Sequence, residues 1–290
     1  MKESTLGLMA GFAGITVFAF TLPVTRYAVA FLDPLFVGLG RSVLAAMIAG
    51  MALWWLKVPL PTNAQFWQLL LVALGVVIGF PLLTAHAMTT VPAVRGGVVV
   101  GILPMATAIT GSLLTGEKAS TGFWLTAVAG CLFVLRFMHP DGFQAMQTGD
   151  VFLLCAIMVA ALGYALGGRL SIEMGGWQVI CWALLIACPL LLIPVSLHAP
   201  ESFREVPVEA WLCLIYLAIG SQLLGFAFWY RALALGGIVR ISQIQLIQPF
   251  ITFMAATLLL GERLDGRSLV YALLVVGTVA IGRLMPVSRS

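Results

Sequence analysis

A chain of 290 residues that is 61% hydrophobic and 9% charged, with a mean hydropathy of +1.08, has too few charges to cover a water-soluble surface, since soluble domains carry about 25% charged residues. Its net charge of +4 is modest and its basic residues are scattered, which argues against a nucleic-acid-binding face. The composition places the chain in a bilayer.

A helix needs about 20 mostly apolar residues to cross a hydrocarbon core of roughly 30 Å. The runs between breaks predict ten spans, near 5–25, 34–55, 66–89, 93–114, 120–138, 149–169, 176–197, 208–230, 238–259 and 267–285. A transmembrane barrel would instead show alternating segments of about ten residues. The start, with Ala28-Val29-Ala30 resembling a cleavage site, has some look of a signal peptide. The run before it is long enough to span, so it is read as the first helix.

In chain order, the first span carries Phe20 and ends at Arg26. The second holds Arg41 within it and Trp54-Trp55 at its end. The third contains Gly75-x-x-x-Gly79, Phe80 and His86. The fourth contains Arg95, Gly97-x-x-x-Gly101 and Pro104, and is followed by Gly116-Glu117. The sixth offers Tyr164 and Gly163-x-x-x-Gly167, and the seventh and eighth hold the deep tryptophans Trp182 and Trp229. The ninth combines Arg240, Gln243, Gln245, Gln248, Pro249 and Thr252, and is followed by Gly261-Glu262.

Several of these landmarks recur at one offset. Pro104 and Pro249, Arg95 and Arg240, Ala87 and Ala232, and Gly116 and Gly261 are each 145 residues apart, while Arg26 and Arg169 pair at 143. Proline, arginine and glutamate are rare here, so ordered coincidences at one spacing indicate an internal repeat, 1–145 and 146–290. Five spans per half make the second half enter the membrane in the opposite sense, the inverted-repeat design of many secondary transporters. The expected fold is all-α and integral to the membrane: ten transmembrane helices in two inverted five-helix repeats around a central cavity.

Two five-helix repeats, each with a proline in its fourth helix and a Gly-Glu after it, resemble the drug/metabolite transporter superfamily in its ten-helix form with two EamA-type domains. The stretch "FWYRALALGGIVRISQIQLIQPFITFMAATLLLGERL", residues 228–264, is the most family-like part. The resemblance implies export of metabolites or toxic compounds through a cavity lined by both halves. Size and aromatic richness are also similar to those of the YddG-type exporters of aromatic amino acids.

The acidic residues all lie at segment ends or in loops, and no G-x-x-x-x-G-K-[ST] sequence occurs. An intramembrane carboxylate, the usual proton or sodium relay, is thus not evident, and nor is an ATP site. This leaves facilitated export without ATP, with a proton-coupled antiporter using His86 as the alternative. For His86 the plainer reading is a boundary residue bonded to backbone. Glu117 and Glu262 read first as caps of the helix that follows each of them, and second as coupling groups. An enzyme would need a convergent catalytic set, which the sequence does not offer; a receptor or scaffold would leave the paired prolines without a purpose.

The substrate pocket should be apolar and aromatic with few polar groups. Phe20, Phe80, His86, Tyr164, Trp229, Gln245 and Gln248 are the candidates to line it, with Pro104 and Pro249 kinking the helices beside it. Arg41, Arg95 and Arg240 could meet a carboxylate, although the recurrence of Arg95 and Arg240 points to structural roles. Gln245, Gln248 and Thr252 share one helical face and Gln243 points away. Tryptophans 54, 55, 67, 124, 177 and 211 read as interfacial belts. The five cysteines read as small buried apolar residues. The glycine pairs mark close helix approaches.

With the N-terminus in the cytoplasm, Lys2, Lys57, Lys118, Arg169, Arg231, Arg283 and Arg289 face inward, against Arg26, Arg136, Arg204, Arg263 and Arg267 outward. The positive-inside rule then puts both termini of an inner (plasma) membrane protein in the cytoplasm. The expected partners are the lipid bilayer and a small-molecule substrate, with no nucleic acid, cofactor or metal, and the chain is expected to work as a monomer.

Overall fold

A computed structural model describes residues 2–115, 118–138, 147–285 and 287–288. Among the described residues ten helical spans follow one another. Span 1 comprises Lys2–Ala19 and Thr21–Ala28, and span 2 is Pro34–Trp55. Span 3 comprises Asn63–Val72, a π-helical Ala73–Gly79 and Phe80–Thr90. Span 4 comprises Ala93–Val100 and Leu103–Thr115, and span 5 is Thr121–Met138. Spans 6 and 7 are Thr148–Met174 and Gly176–Leu197. Span 8 comprises Val208–Ile215, a π-helical Tyr216–Gly225 and Phe226–Gly236. Span 9 comprises Ile238–Ser242, a 3₁₀ segment Gln243–Ile247 and Gln248–Leu260; span 10 is Gly266–Leu284.

Among the described residues seven spans are long and apolar enough by themselves to cross a bilayer; spans 5, 9 and 10 contribute the shorter apolar stretches Thr121–Phe137, Ile244–Leu260 and Gly266–Gly282. Those three sit near the lower end of the ~17–25 residues that a crossing needs. A two-residue pairing of Lys118–Ala119 with Val287–Ser288 is the sole sheet among the described residues.

Several boundaries differ from those expected. Span 6 continues to Met174 and span 8 to Gly236, which puts Arg169 and Arg231 inside helices, both exposed. A single residue, Gly175 at φ +91°, turns span 6 into span 7, a backbone region glycine enters without a Cβ penalty.

The halves repeat in backbone detail as well as in sequence. Shifted by 145 residues, the π-helical stretch 73–79 falls within the π-helical stretch 216–225. The breaks in spans 4 and 9 likewise correspond, and both prolines stand second in the helix that resumes after them. Proline has no N–H to donate one turn back, so an α-helical ladder fails there. Packing follows the same exchange: span 2 lies on 7, 4 on 9 and 5 on 10, while the pairs 1–8 and 3–6 are counterparts.

Hydrocarbon supplies no hydrophobic drive between helices, so close contact needs small residues. One glycine of each pair in spans 3 and 6 meets the other: a Cβ on Gly75 would lie 2.6 Å from the Val159 carbonyl oxygen and 3.2 Å from Gly163 Cα, while Gly167 packs instead against Tyr230 of span 8. Spans 4 and 9 cross likewise, with Gly97 against Thr252 and Phe253 and Gly101 against Pro249. The cysteines are a partial correction. Cys181 is buried, whereas Cys131 and Cys155 are exposed on the helix surfaces. Trp54, Trp55 and Trp67 are also exposed.

Candidate functional site at the centre of the bundle

The middles of spans 1, 2, 3, 4, 6, 8 and 9 converge on a small closed cavity lined by Phe18, Thr21, Leu22, Arg41, Phe80, Val100, Leu103, Tyr164, Ser221, Phe226 and Gln248. Its open volume is about 10 Å³, on the order of a single water. A larger concavity, about 890 Å³, is a groove between the ends of spans 2 and 7 beside Trp54, Trp55 and Lys57. Exposed interfacial tryptophans line that groove, and it lies away from the convergence of the two halves, so the closed cavity is the candidate site.

Backbone irregularity makes this centre. A π-helical turn releases carbonyls from the regular ladder, and these need donors. Gln222 Nε2 donates to the Val76 oxygen at 2.9 Å, and Ser42 Oγ to the Val77 oxygen at 2.7 Å. These bonds fasten spans 8 and 2 to the π-helical stretch of span 3. The Thr21 and Ser221 hydroxyls are 2.8 Å apart, and Thr252 Oγ1 donates to the Ala19 oxygen beside the span 1 break at 2.8 Å. At the broken span 4, Val100 is the residue whose carbonyl a proline at 104 cannot serve, and Val100 lines the cavity.

Rings form the wall. Phe18 lies 4.9 Å from Phe226 and 6.3 Å from Tyr164, centroid to centroid, and Tyr164 is 5.7 Å from Phe226. Trp229 packs behind them, 5.7 Å from Tyr164 and 6.4 Å from Phe18. Arg41 is 1% exposed and faces the cavity, yet its Nε and Nη2 have no hydrogen-bond partner.

Of the residues expected at the site, Phe80, Tyr164 and Gln248 line the cavity. Trp229 is wholly buried one layer back. Gln245 is buried with both amide atoms unpartnered, outside the cavity lining. Phe20 instead packs on the satellite cluster around Val24, Phe36 and Leu214. His86 is half-buried, its Nδ1 2.9 Å from the Leu82 oxygen and its ring 5.7 Å from Phe152; it does not reach the cavity. Pro104 and Pro249 sit at the helix breaks, Pro249 in a crevice with Gln248 and Gly97. Phe18, Phe226, Thr21 and Ser221 were not expected. Helical spacing from Phe18 to Thr21 and Leu22 is the signal that could have found the first of them.

A second polar group closes one end of the bundle. Gly261, at φ +65°, caps span 9 in the left-handed region, and the turned chain delivers Glu262. Its Oε1 and Oε2 accept the N–H groups of Ala93 and Val94 at 2.9 and 2.8 Å. This is a helix cap, favourable at the positive end of the dipole, but of span 4 in the other half and not of the helix that follows. Span 10 is capped by Asp265, which accepts from Ser268 N at 3.0 Å. Arg26 Nε stands 3.6 Å from Glu262, and its Nη1 donates to the Met88 oxygen. Close by, Arg95 grips Asp150 through Nε at 3.0 Å and Nη2 at 2.6 Å. Glu117 lies outside the described residues, as do the side chains of Arg240 and Gln243.

Known proteins share this organisation. A Bacillus subtilis protein described as "Uncharacterized transporter YdeK" is 41% identical over 98% of this chain and 99% of its own. A Salmonella typhimurium protein described as "Probable amino-acid metabolite efflux pump" is 26% identical over 53% of this chain and 54% of its own. A solved crystal structure superposes with a TM-score of 0.69 at 15% identity, over 96% of this chain and 97% of the other. The model of the EamA-like transporter family matches twice, at 5–137 and 147–282. The chain therefore belongs to the EamA-like transporter family, and is a multi-pass membrane transporter rather than an enzyme.

Proposed function

We propose that this transporter exports small metabolites, aromatic or other apolar amino acids and related toxic compounds among them, by alternating access without ATP and as a facilitator. One observation carries the reading. A ring-lined cavity lies at the centre of the bundle, built from both halves and set against two broken helices. The halves 1–145 and 146–290 act as inverted repeats whose two packings expose that cavity to opposite sides in turn. The relative named for amino-acid metabolite efflux supports the substrate class, and the aromatic wall supports the narrower likeness to YddG-type exporters. The chain works as a monomer in the inner membrane with both termini cytoplasmic, and the Glu262 and Asp150 contacts close its external end.

The test is uptake of labelled tryptophan, phenylalanine and threonine by purified protein in liposomes, with and without an imposed pH gradient. Saturable uptake of the aromatic compounds that ignores the gradient is expected. Uptake that requires the gradient would favour the proton-coupled antiporter, and no uptake of any amino acid would overturn the substrate class.

A further inference from the structure

We propose that Arg41 is the anchor for a carboxylate, so that the cavity, once the alternative packing of the halves widens it beyond the single-water space of this closed form, takes monocarboxylates with an apolar or aromatic body. The inference rests on reading the central cavity as the transport site. A guanidinium buried without a counter-ion is strongly unfavourable, and within a membrane such a group marks a ligand path or a paired contact. Among the described residues Arg41 has no such pair: it is 1% exposed, with Nε and Nη2 unpartnered, and no acidic side chain lines the cavity.

The repeat sharpens the point. Arg95 recurs as Arg240, and Arg95 is held by Asp150. The position 145 residues after Arg41 is Ile186, so Arg41 is no part of the repeated framework. Its planar fork fits a carboxylate through two parallel bonds. Phe18, Phe80, Tyr164 and Phe226 offer rings for the body of such a ligand. One cation and no anion call for a ligand group of a single negative charge. The ammonium of an amino acid would find only neutral oxygens, those of Thr21, Ser221 and Gln248, and is an accessory feature.

The full chain in detergent would be titrated with 3-phenylpropionate, phenylalanine and phenethylamine, with thermal shift and affinity as readouts, for wild type, Arg41→Met and Arg41→Lys. Both carboxylates should stabilise the wild type, and phenethylamine should not. Comparable binding of phenylalanine and 3-phenylpropionate supports the carboxylate as the shared determinant. Arg41→Met should lose roughly tenfold to a hundredfold in carboxylate affinity, as for a charge-assisted hydrogen bond. Its unliganded melting temperature should not fall, because an unpaired buried charge has been removed. Unchanged carboxylate affinity in Arg41→Met, or phenethylamine binding equal to that of the carboxylates, would overturn the proposal. Should Arg41→Met not survive purification, Arg41→Lys decides: a severalfold loss supports the fork, and unchanged affinity sinks it. Wild-type phenylalanine uptake that Arg41→Met leaves untouched would defeat the anchor and keep the export reading. Carboxylate binding that depends on Arg41, without any amino-acid transport, would do the reverse.

Discussion

Glu262 and Arg26 face each other at 3.6 Å across the two halves of the chain, and the same carboxylate holds the first two N–H groups of span 4. The repeated Gly-Glu phrase thus has a mechanical role in its second copy. The left-handed glycine ends span 9 and aims the acid at a helix in the opposite half. Under the proposed alternating access, this contact must part for the external end to open.

Replacing Glu262 by Ala should therefore lower stability by about 1.5–3 kcal/mol, the range for hydrogen bonds to a charged group. Glu262→Gln, which keeps only one acceptor oxygen, should fall between. Thermal melts in detergent check the order, and equal melting temperatures for all three proteins would contradict the cap.

Arg95 and Asp150 tie span 4 to span 6, and the Asp150 side chain is wholly buried. Removing one partner leaves an uncompensated buried charge, so Asp150→Ala should cost about 3–5 kcal/mol. The double variant Arg95→Met, Asp150→Leu should recover much of that loss. A denaturation cycle with additive effects would show that the two residues are not coupled.

Gly75 has backbone on the far side of its contact, so Gly75→Ala must push spans 3 and 6 apart, costing about 1–3 kcal/mol. Gly277 in span 10 has open space where a Cβ would go, and Gly277→Ala should be neutral or gain up to ~1 kcal/mol. Paired melting curves check the contrast.

Asp265 titrates below the usual carboxylate range, chiefly because the Ser268 side chain hydrogen-bonds its charged form, with the Ser268 N–H adding to the effect. A folded-state value below the unfolded one gives stability that is present above about pH 4 and is lost as pH falls through the folded value. Asp265→Ala should melt lower than wild type at neutral pH, and the gap should close in acid. A gap independent of pH would rule out a charged cap.

His86 bonds to its own helix and packs on Phe152, away from the cavity. His86→Gln should leave liposome uptake and its indifference to a pH gradient unchanged. A variant that lost uptake, or gained gradient dependence, would restore the histidine to the transport path.

The sequence alone determined the membrane class, the ten spans, the repeat and the two proline breaks in spans 4 and 9, but not the break at Phe20 or the π-helical stretches of spans 3 and 8. The reason is chemical scarcity: in a chain only 9% charged, each arginine, glutamate or proline in an apolar run is a legible mark, and its recurrence 145 residues on is hard to produce otherwise. Only the tertiary structure decided which side chains meet. In hydrocarbon both faces of a helix are apolar, so no polar stripe tells cavity from lipid. Phe18 and Phe20 are interchangeable on paper, yet they point roughly 200° apart at 100° per residue; one lines the cavity and the other a satellite cluster. Glu262 was legible as a cap, but its partner lies 168 and 169 residues away, in a half that sequence order cannot bring near. Arg95 and Arg41 look alike as intramembrane arginines. Packing placed a carboxylate against the first and left the second facing the cavity alone.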